Sequence, residues 1–278
     1  MKIPSVGLGT WLIDNEKVTD VVKSAVELGY RHIDTAQAYG NEEGIGLGIK
    51  ECGIPREELY VTTKVMAEYK NYEDARTSVE DSLKRLGLEY VDLVLIHSPE
   101  PWAEFRNTKK DYFKENLEVW RALEDLHKAG KAKAIGVSNF RIRDLENIIE
   151  HAKVKPMVNQ VLCHIGQTPF ELIDFCQKKD ILVEAYSPIA HGEAGRIPEI
   201  VDLAKKYGVS FAQICLKYCL QLGLVVLPKA SSKEHLEANL KLDFTLSDED
   251  METLKKVRPL SDYGNDDFFP VFSKSGKE

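Results

Sequence analysis

Short apolar runs alternate along this chain with longer segments in which apolar residues recur at helical spacing. In the segments 18–25 and 145–152 the apolar positions follow i, i+3, i+4 and i+7. A third such segment covers 72–86, and Gly87 is predicted to cap its carboxyl end. The apolar runs predict strands at 6–10, 32–35, 60–64, 91–97, 134–138, 157–160, 182–186 and 225–228.

The alternation of strands with helices is typical of a parallel sheet covered by helices. Eight such units favour closure into a (β/α)8 TIM barrel, with residues 1–278 forming a single domain. An open, doubly wound sheet is the alternative fold. That fold usually has a glycine-rich turn and a helix directly after its first strand, whereas the stretch 7–11 lacks the third glycine and leads into a polar loop.

Composition excludes several classes of protein. Acidic residues outnumber basic ones by 45 to 37, and the net charge of −8 argues against a nucleic-acid partner, which would usually require a basic face. No apolar stretch is long enough to span a bilayer, and no secretory signal is recognisable, so no membrane partner is expected. The five cysteines are expected to be reduced thiols in a cytoplasmic protein without a metal site.

Polar side chains collect at the carboxyl ends of the predicted strands. These ends carry Asp34-Thr35, Thr63-Lys64, His97-Ser98, Ser138-Asn139, Asn159-Gln160, Tyr186-Ser187 and Lys229. In a (β/α)8 barrel the carboxyl ends of all strands meet at one mouth, where catalytic groups lie in essentially every such enzyme. The sequence therefore predicts one cavity surrounded by a carboxylate, two ammonium groups, an imidazole, a phenol and several amides.

The residue types in this set suggest a particular reaction. A lysine among barrel strands is costly unless its ammonium is paired, and Asp34 is the expected partner of Lys64. Tyr39 follows Asp34 closely enough to place its phenol beside that ammonium, which we expect to lower the pKa of the phenol. His97 adds a neutral hydrogen-bond donor. A tuned proton donor and an oxyanion stabiliser together suit carbonyl reduction or alcohol oxidation.

The ordered motifs of the chain resemble those of the aldo-keto reductases, in particular the bacterial ones. The resemblance is carried by His32-Ile33-Asp34-Thr35-Ala36, Tyr39-Gly40-Asn41-Glu42, Thr62-Thr63-Lys64, Leu95-Ile96-His97, Gly136-Val137-Ser138-Asn139-Phe140, Asn159-Gln160, Ala185-Tyr186-Ser187-Pro188 and Leu227-Pro228-Lys229. It implies a (β/α)8 barrel, usually monomeric, that reduces aldehydes, ketones, keto-sugars or dicarbonyls with a nicotinamide coenzyme. Tyr39 would donate the proton, and Lys64, held by Asp34, would lower the pKa of that phenol. His97 would orient the carbonyl.

The resemblance also implies the coenzyme contacts. They run from the carboxamide (Ser138, Asn139, Gln160) and the nicotinamide ring (Tyr186) to the pyrophosphate (Ser187, Ile189) and the adenosine end (Lys229, Ser231, His235, Asn239). At the adenosine end the family has a serine and an arginine where this chain has Ala230 and His235. Neutral histidine cannot hold a phosphate with two parallel bonds as arginine does. We therefore expect NADPH as the coenzyme, with use of NADH as well.

The substrate side of the mouth departs from the family pattern. Two positions where the family often has tryptophan hold Met66 and Ser98, whereas Trp11 and Trp102 are candidate aromatic contacts for the substrate. The carboxyl-terminal tail, about 258–278, loses helical periodicity but carries several aromatic residues. We expect it to pack on the barrel or to cover the active-site mouth.

Two other functions remain open at this point. The barrel could bind nicotinamide as a regulatory subunit without turnover, or Lys64 could be the Schiff-base amine of an isomerase or aldolase. The presence of all four catalytic residue types favours the reductase over both.

Overall fold

Eight parallel strands form the centre of the molecule. The computed structural model describes residues 3–260, 263 and 269–272 of the 278-residue chain. The strands lie side by side in chain order: β1 (Leu8–Gly9), β2 (His32–Asp34), β3 (Tyr60–Val65), β4 (Val91–Ile96), β5 (Ala132–Ser138), β6 (Val158–Leu162), β7 (Leu182–Tyr186) and β8 (Val225–Leu227). Two parallel bridges, from Val6 to Val226 and from Gly9 to Lys229, join the regions of β1 and β8. They close the row of strands into a barrel. The predicted (β/α)8 barrel is confirmed, and the open sheet is wrong.

Helices connect the strands along the outside of the barrel. They are α1 (Asn15–Leu28), α2 (Glu42–Glu51), α3 (Tyr72–Leu86), α4 (Phe113–Lys128), α5 (Ile142–His151), α6 (Phe170–Lys178), α7 (Pro198–Tyr207), α8 (Phe211–Gln221), α9 (Lys233–Leu240) and α10 (Asp248–Lys255). Helices α7 and α8 both lie between β7 and β8, and α9 and α10 follow β8. No helix in the described part of the chain combines the length and apolar composition that crossing a membrane requires.

Local sequence signals set the ends of these elements. The Asn71 side chain accepts a hydrogen bond from the backbone N–H of Asp74 at 2.9 Å, which caps the start of α3. Gly87 follows the end of α3 with φ of 64°, a left-handed conformation that favours glycine, so the predicted cap is confirmed. Strand β8 ends at Leu227, one residue earlier than predicted, because Pro228 has no N–H to donate to a neighbouring strand.

The layer between strands and helices is apolar, whereas the barrel interior combines a small apolar cluster, which includes Leu93, Leu95 and Val158, with several buried polar side chains. Side chains such as Val22 of α1 and Ile33 of β2 are fully buried in that apolar layer. Inside the barrel, His32, Lys64 and Glu184 have no exposed surface. Branched apolar residues usually dominate this position in such barrels. Because buried charges are costly unless paired, the interior of this barrel must form a connected set of partners.

Part of the carboxyl-terminal tail lies against residues at the mouth of the barrel. Phe269, Val271 and Phe272 are buried in a separate apolar cluster that includes Trp102 and Phe105. Two tyrosines pack against the same cluster. Tyr39 lies on the loop that follows β2, and Tyr186 is the last residue of β7. The remaining residues of the predicted tail, 261–262, 264–268 and 273–278, lie outside the described part of the chain.

Candidate active site

A cavity of about 810 Å³ opens at the carboxyl ends of the strands. Its lining includes the strand-end residues Asp34, His97, Ser138, Asn139, Gln160, Tyr186, Ser187 and Lys229, together with Tyr39. The structure thus brings together part of the predicted set of strand-end residues. The other strand-end residues of that set do not line the cavity: Thr35, Thr63, Lys64, Ser98 and Asn159.

Lys64 connects the carboxylate and the phenol of this site. Its side chain on β3 has no exposed surface, and its Nζ lies 2.8 Å from Asp34 Oδ2 and 3.2 Å from Tyr39 Oη. The third ammonium hydrogen goes to the backbone carbonyl of Thr35 at 2.9 Å. Tyr39 reaches this position from a single 3-10 turn, Gln37–Tyr39, which directly follows β2 and ends at Gly40 with φ of 67°. All three donors of Lys64 are therefore engaged.

The charges of the site follow from burial and from these contacts. Burial by itself would lower the pKa of Lys64, but Asp34 and Tyr39 outweigh it and raise that pKa, so the ammonium stays charged. For Tyr39 burial is the largest effect and raises the pKa of the phenol, while Lys64 lowers it and Asp34 raises it. Lys64 thus acts on the pKa of Tyr39 in the expected direction, but the net shift of that pKa is upward. Desolvation outweighs the nearby cation, and the phenol keeps its proton at neutral pH.

His97 lies beside the phenol as a neutral ring. Burial, followed by the nearby Lys64 and Lys70, holds the pKa of His97 well below its ordinary value. The ring centroids of His97 and Tyr39 are 5.7 Å apart. Within the described part of the chain, Nδ1 of His97 is buried without a hydrogen-bond partner. The imidazole is therefore suited to hydrogen bonding rather than to carrying charge.

Side chains from three other elements hold the backbone that follows His97. The amide of Asn139 donates to the His97 carbonyl at 3.0 Å, and Lys70 Nζ donates to the Ser98 carbonyl at 2.7 Å. Asn116, on α4, donates to the Pro99 carbonyl at 2.9 Å and accepts from Lys70 at 3.1 Å. The backbone carbonyls of residues 97, 98 and 99 are thus each held by a side chain. Because the first of them belongs to His97, these bonds help to position the imidazole.

The amides at the ends of β5 and β6 form a continuous network. Asn139 also donates to Ser138 Oγ at 3.1 Å and accepts from the Tyr186 hydroxyl at 2.7 Å. The Ser138 hydroxyl donates to the Gln160 carbonyl at 2.8 Å. Gln160 Nε2 donates to Asp34 Oδ1 at 2.8 Å and to Glu184 Oε2 at 2.9 Å. These bonds join the catalytic candidates to the predicted carboxamide site.

Glu184 was missed by the sequence reasoning, although a signal for it exists. It lies two residues before Tyr186 on β7, and alternate residues of a strand share a face, so both must point into the barrel. An acidic residue within an otherwise apolar strand is unusual when it faces inward. That combination of position and charge could have identified Glu184 as part of the interior network.

The residues predicted for the rest of the coenzyme divide into two groups. Ser187, Ile189, Lys229, His235 and Asn239 line the same cavity. Ser231 is exposed and is absent from the lining. Glu234, which no motif indicated, lines the cavity beside His235 in the first turn of α9.

Two of the four predicted substrate contacts line the cavity, and two do not. Trp11 and Trp102 line the cavity, and Phe269 of the tail packs on Trp102 with ring centroids 5.0 Å apart. Met66 and Ser98 are not in its lining. The Ser98 hydroxyl instead accepts the backbone N–H of Glu100 at 3.2 Å, and its carbonyl is held by Lys70, so the side chain is directed away from the cavity.

Four of the eight non-glycine residues with a left-handed backbone in the described part of the chain line the cavity. Leu12, Asn139, Ser187 and His191 have φ between 48° and 63° and all line it. Non-glycine residues adopt such angles only at a cost, and they persist where the surrounding structure imposes them. Such strain clusters at functional sites, which supports this cavity as the active site.

Comparisons with known proteins identify relatives that match most of this chain. A profile described as the Aldo/keto reductase family matches residues 5–259. Glyoxal reductase of Bacillus subtilis (strain 168) is 43% identical over 256 residues, 91% of this chain and 88% of that protein. Methylglyoxal reductase DkgA of Escherichia coli (strain K12) is 37% identical over 258 residues, 92% of this chain and 90% of that protein. A solved aldo-keto reductase complexed with NADPH matches with a TM-score of 0.85 and 34% identity, over 99% of this chain and 90% of that one.

Proposed function

Because this chain belongs to the aldo/keto reductase family, we propose that it reduces small aldehydes and dicarbonyls, such as methylglyoxal, to alcohols with a nicotinamide coenzyme. The observation that carries the proposal is the contact of one buried ammonium, Lys64 Nζ, with both Asp34 and the phenol of Tyr39 at the cavity. The names of the two bacterial relatives support aldehydes and dicarbonyls as the substrate class.

The residues around the cavity fit a nicotinamide coenzyme. A volume of about 810 Å³ lies within the range of cofactor sites. Both amide hydrogens of Gln160 are used by Asp34 and Glu184, which leaves Oε1 as its remaining hydrogen-bonding atom and a suitable acceptor for a carboxamide N–H. Lys229 is an exposed cation in the same lining and suits a phosphate.

The side chains of this site have complementary roles in the proposed reaction. A reduced nicotinamide coenzyme, when bound, would supply the hydride that the carbonyl carbon receives. Tyr39 gives its phenolic proton to the carbonyl oxygen as that oxygen gains negative charge. Lys64, 3.2 Å from the phenol oxygen, stabilises the phenolate that remains, and Asp34 keeps the ammonium in place. The neutral His97 ring donates a hydrogen bond to the same oxygen.

The contacts of Lys64 weigh against the Schiff-base alternative. An amine must lose its proton and reach the substrate before it can attack a carbonyl. Lys64 has no exposed surface, and its three hydrogens are held by Asp34, Tyr39 and the Thr35 carbonyl. No observation specifically favours a regulatory subunit over an enzyme.

A turnover screen tests the proposed function. Purified protein is incubated with methylglyoxal or 4-nitrobenzaldehyde and with NADPH or NADH, and loss of the reduced coenzyme is followed by absorbance. We expect turnover with both substrates. Coenzyme binding, measured by quenching of protein fluorescence, without turnover on any reactive aldehyde would favour the regulatory subunit instead.

We expect the substitution His235→Arg to shift coenzyme preference toward NADPH. His235 lies in the cavity lining near Lys229, and arginine would add a charge-assisted bond to a 2′-phosphate. A bond of this kind contributes about 1.5–3 kcal/mol, so the ratio of kcat/KM for NADPH to that for NADH should increase about 10- to 100-fold.

The control for this substitution is His151→Arg, which adds the same charge on the exposed end of α5. The control should leave the coenzyme ratio unchanged. An equal shift in both variants would mean that the overall charge, rather than a local contact, sets the preference.

We propose that the described part of the tail forms a wall of the substrate site. The Phe269 ring lies 5.6 Å from the ring of His97 and 6.4 Å from that of Tyr39. Phe269→Ala should raise KM for 4-nitrobenzaldehyde about three- to tenfold, because aromatic contacts are each worth about 0.5–1.5 kcal/mol. Phe170→Ala removes a phenylalanine that is 42% exposed and absent from the cavity lining, so its KM should match that of the wild type.

A further inference from the structure

The geometry points to Glu184 as a positioning residue of the reaction, a neutral acid that fixes Gln160 and, through it, the carboxylate of Asp34 beside the Lys64–Tyr39 pair. This inference rests on the proposed function, because the step that it supports is proton donation by Tyr39. No motif of the sequence and no contact of the proposed mechanism assigns a role to Glu184.

The position of Glu184 connects it to the site through one amide. It pairs with Gln160 across β6 and β7, and its Oε2 accepts one hydrogen of Gln160 Nε2 at 2.9 Å. The other hydrogen of that nitrogen goes to Asp34 Oδ1 at 2.8 Å. The remaining oxygen of Asp34 accepts from Lys64, which in turn contacts Tyr39. A continuous series of hydrogen bonds therefore leads from Glu184 to the proposed proton donor.

The second carboxyl oxygen of Glu184 indicates its charge. Oε1 is buried and has no hydrogen-bond partner among the described residues; His32 Nε2, at 4.0 Å, is too distant to provide one. A carboxylate with one bare oxygen is costly inside a protein, whereas a neutral acid is much less so. The three hydrogens of Lys64 go to Asp34, the Thr35 carbonyl and Tyr39, so none of them is donated to Glu184.

Four titratable groups on neighbouring strands face Glu184. They are His32 and Asp34 on β2 and Tyr60 and Lys64 on β3, while β6 and β8 face it with Gln160 and Val225. Burial lowers the pKa of His32 to about 4 and raises that of Tyr60. Burial, and then the negative charge of Asp34, raise the pKa of Glu184 to about 8. Glu184 is thus the member of this group that changes charge near pH 8.

Ionisation of Glu184 would affect the proton donor directly. A second negative charge beside Gln160 and Asp34 favours the protonated form of Tyr39 and makes it a weaker acid toward the carbonyl oxygen. We expect kcat/KM for reduction to fall about three- to tenfold between pH 7 and pH 9. This decrease should occur well below the pH at which the phenol itself loses its proton.

The first test compares wild type with Glu184→Gln and Glu184→Leu. Glu184→Leu removes the acceptor for Gln160, and kcat should fall about tenfold. Glu184→Gln keeps an acceptor but cannot ionise, so it should recover most of that loss and should lack the decrease near pH 8. The positioning role is overturned if the two variants have the same kcat, or if Glu184→Gln retains the wild-type pH profile.

Lys70 requires its own control because burial lowers its pKa to about 7 and it holds the Ser98 carbonyl next to His97. Lys70→Arg replaces it with a cation that stays charged over this range. The decrease in kcat/KM near pH 8 should persist in Lys70→Arg. If the decrease disappears in Lys70→Arg and persists in Glu184→Gln, it belongs to Lys70. That result would overturn the inference.

A spectroscopic test on the ligand-free protein separates this inference from the proposed function. In the wild type, the infrared carbonyl stretch of a protonated carboxylic acid should be present at pH 6 and should weaken as the pH passes 8. In Glu184→Gln this band should be absent both at pH 6 and above pH 8. Absence of turnover with this band present would overturn the proposed function and leave Glu184 a neutral acid. Turnover without the band would overturn the inference about Glu184 alone.

Discussion

The substitution Tyr39→Phe is expected to lower kcat for aldehyde reduction by about 10²- to 10⁴-fold, the usual contribution of a positioned general acid. It removes the hydroxyl that lies 3.2 Å from Lys64 Nζ and keeps the ring that packs beside His97. Binding of the reduced coenzyme, followed by quenching of protein fluorescence, should stay near the wild-type value. Single-turnover rates with 4-nitrobenzaldehyde separate the chemical step from product release.

The matched control is Tyr72→Phe, in which the lost hydroxyl belongs to a partly buried tyrosine that is absent from the cavity lining and is bonded to Asp125 at 2.8 Å. That variant should reduce aldehydes at the wild-type rate. A rate within tenfold of wild type in Tyr39→Phe would mean that another group donates the proton.

The second large effect is expected from Lys64→Met, which should affect stability and activity together. It leaves Asp34 buried without its cation, and removal of one partner of a buried pair typically costs about 3–5 kcal/mol. The free energy of unfolding, measured with urea, should fall by about that amount. kcat should fall at least about 100-fold, because the phenolate of Tyr39 then forms without a neighbouring positive charge.

The double variant Asp34→Asn with Lys64→Met distinguishes the two effects. Without either charge, more than half of the lost free energy of unfolding should return, while kcat stays low. Lys23→Met is the control, since Lys23 is partly exposed and pairs with Glu51 at the surface; it should change neither quantity measurably. Recovery of activity in the double variant would contradict the assigned role of Lys64.

The sequence predicted those features that depend on local pattern and on fold geometry. Spacing alone placed α3 and its Gly87 cap, and counting strands led to the barrel. Once a barrel is assumed, the strand ends must converge, so the proximity of Asp34, Lys64 and His97 followed as well. These predictions needed no knowledge of how individual side chains are oriented.

The features that the sequence could not predict depend on side-chain direction or on burial. Ser98 was expected at the substrate site, but its position after β4 is set by three carbonyl contacts that no sequence motif announces. The pKa of Tyr39 was expected to be lowered by Lys64, yet its burial has the larger influence. Glu184 was passed over because its importance comes from Gln160, which lies on another strand. Each of these depends on contacts between elements distant in the chain.

The two sides of the substrate site differ in how readily they can change during evolution. On the side of β4, the backbone after His97 is held by Asn139, Lys70 and Asn116, so a substitution there disturbs the imidazole as well as the substrate contact. On the tail side, Phe269 contributes by ring packing against neighbours such as Trp102. Size and shape on that side can therefore vary without moving the proton donor. Substitutions in the tail should accordingly change the range of accepted substrates while leaving the positions of Tyr39 and His97 unchanged.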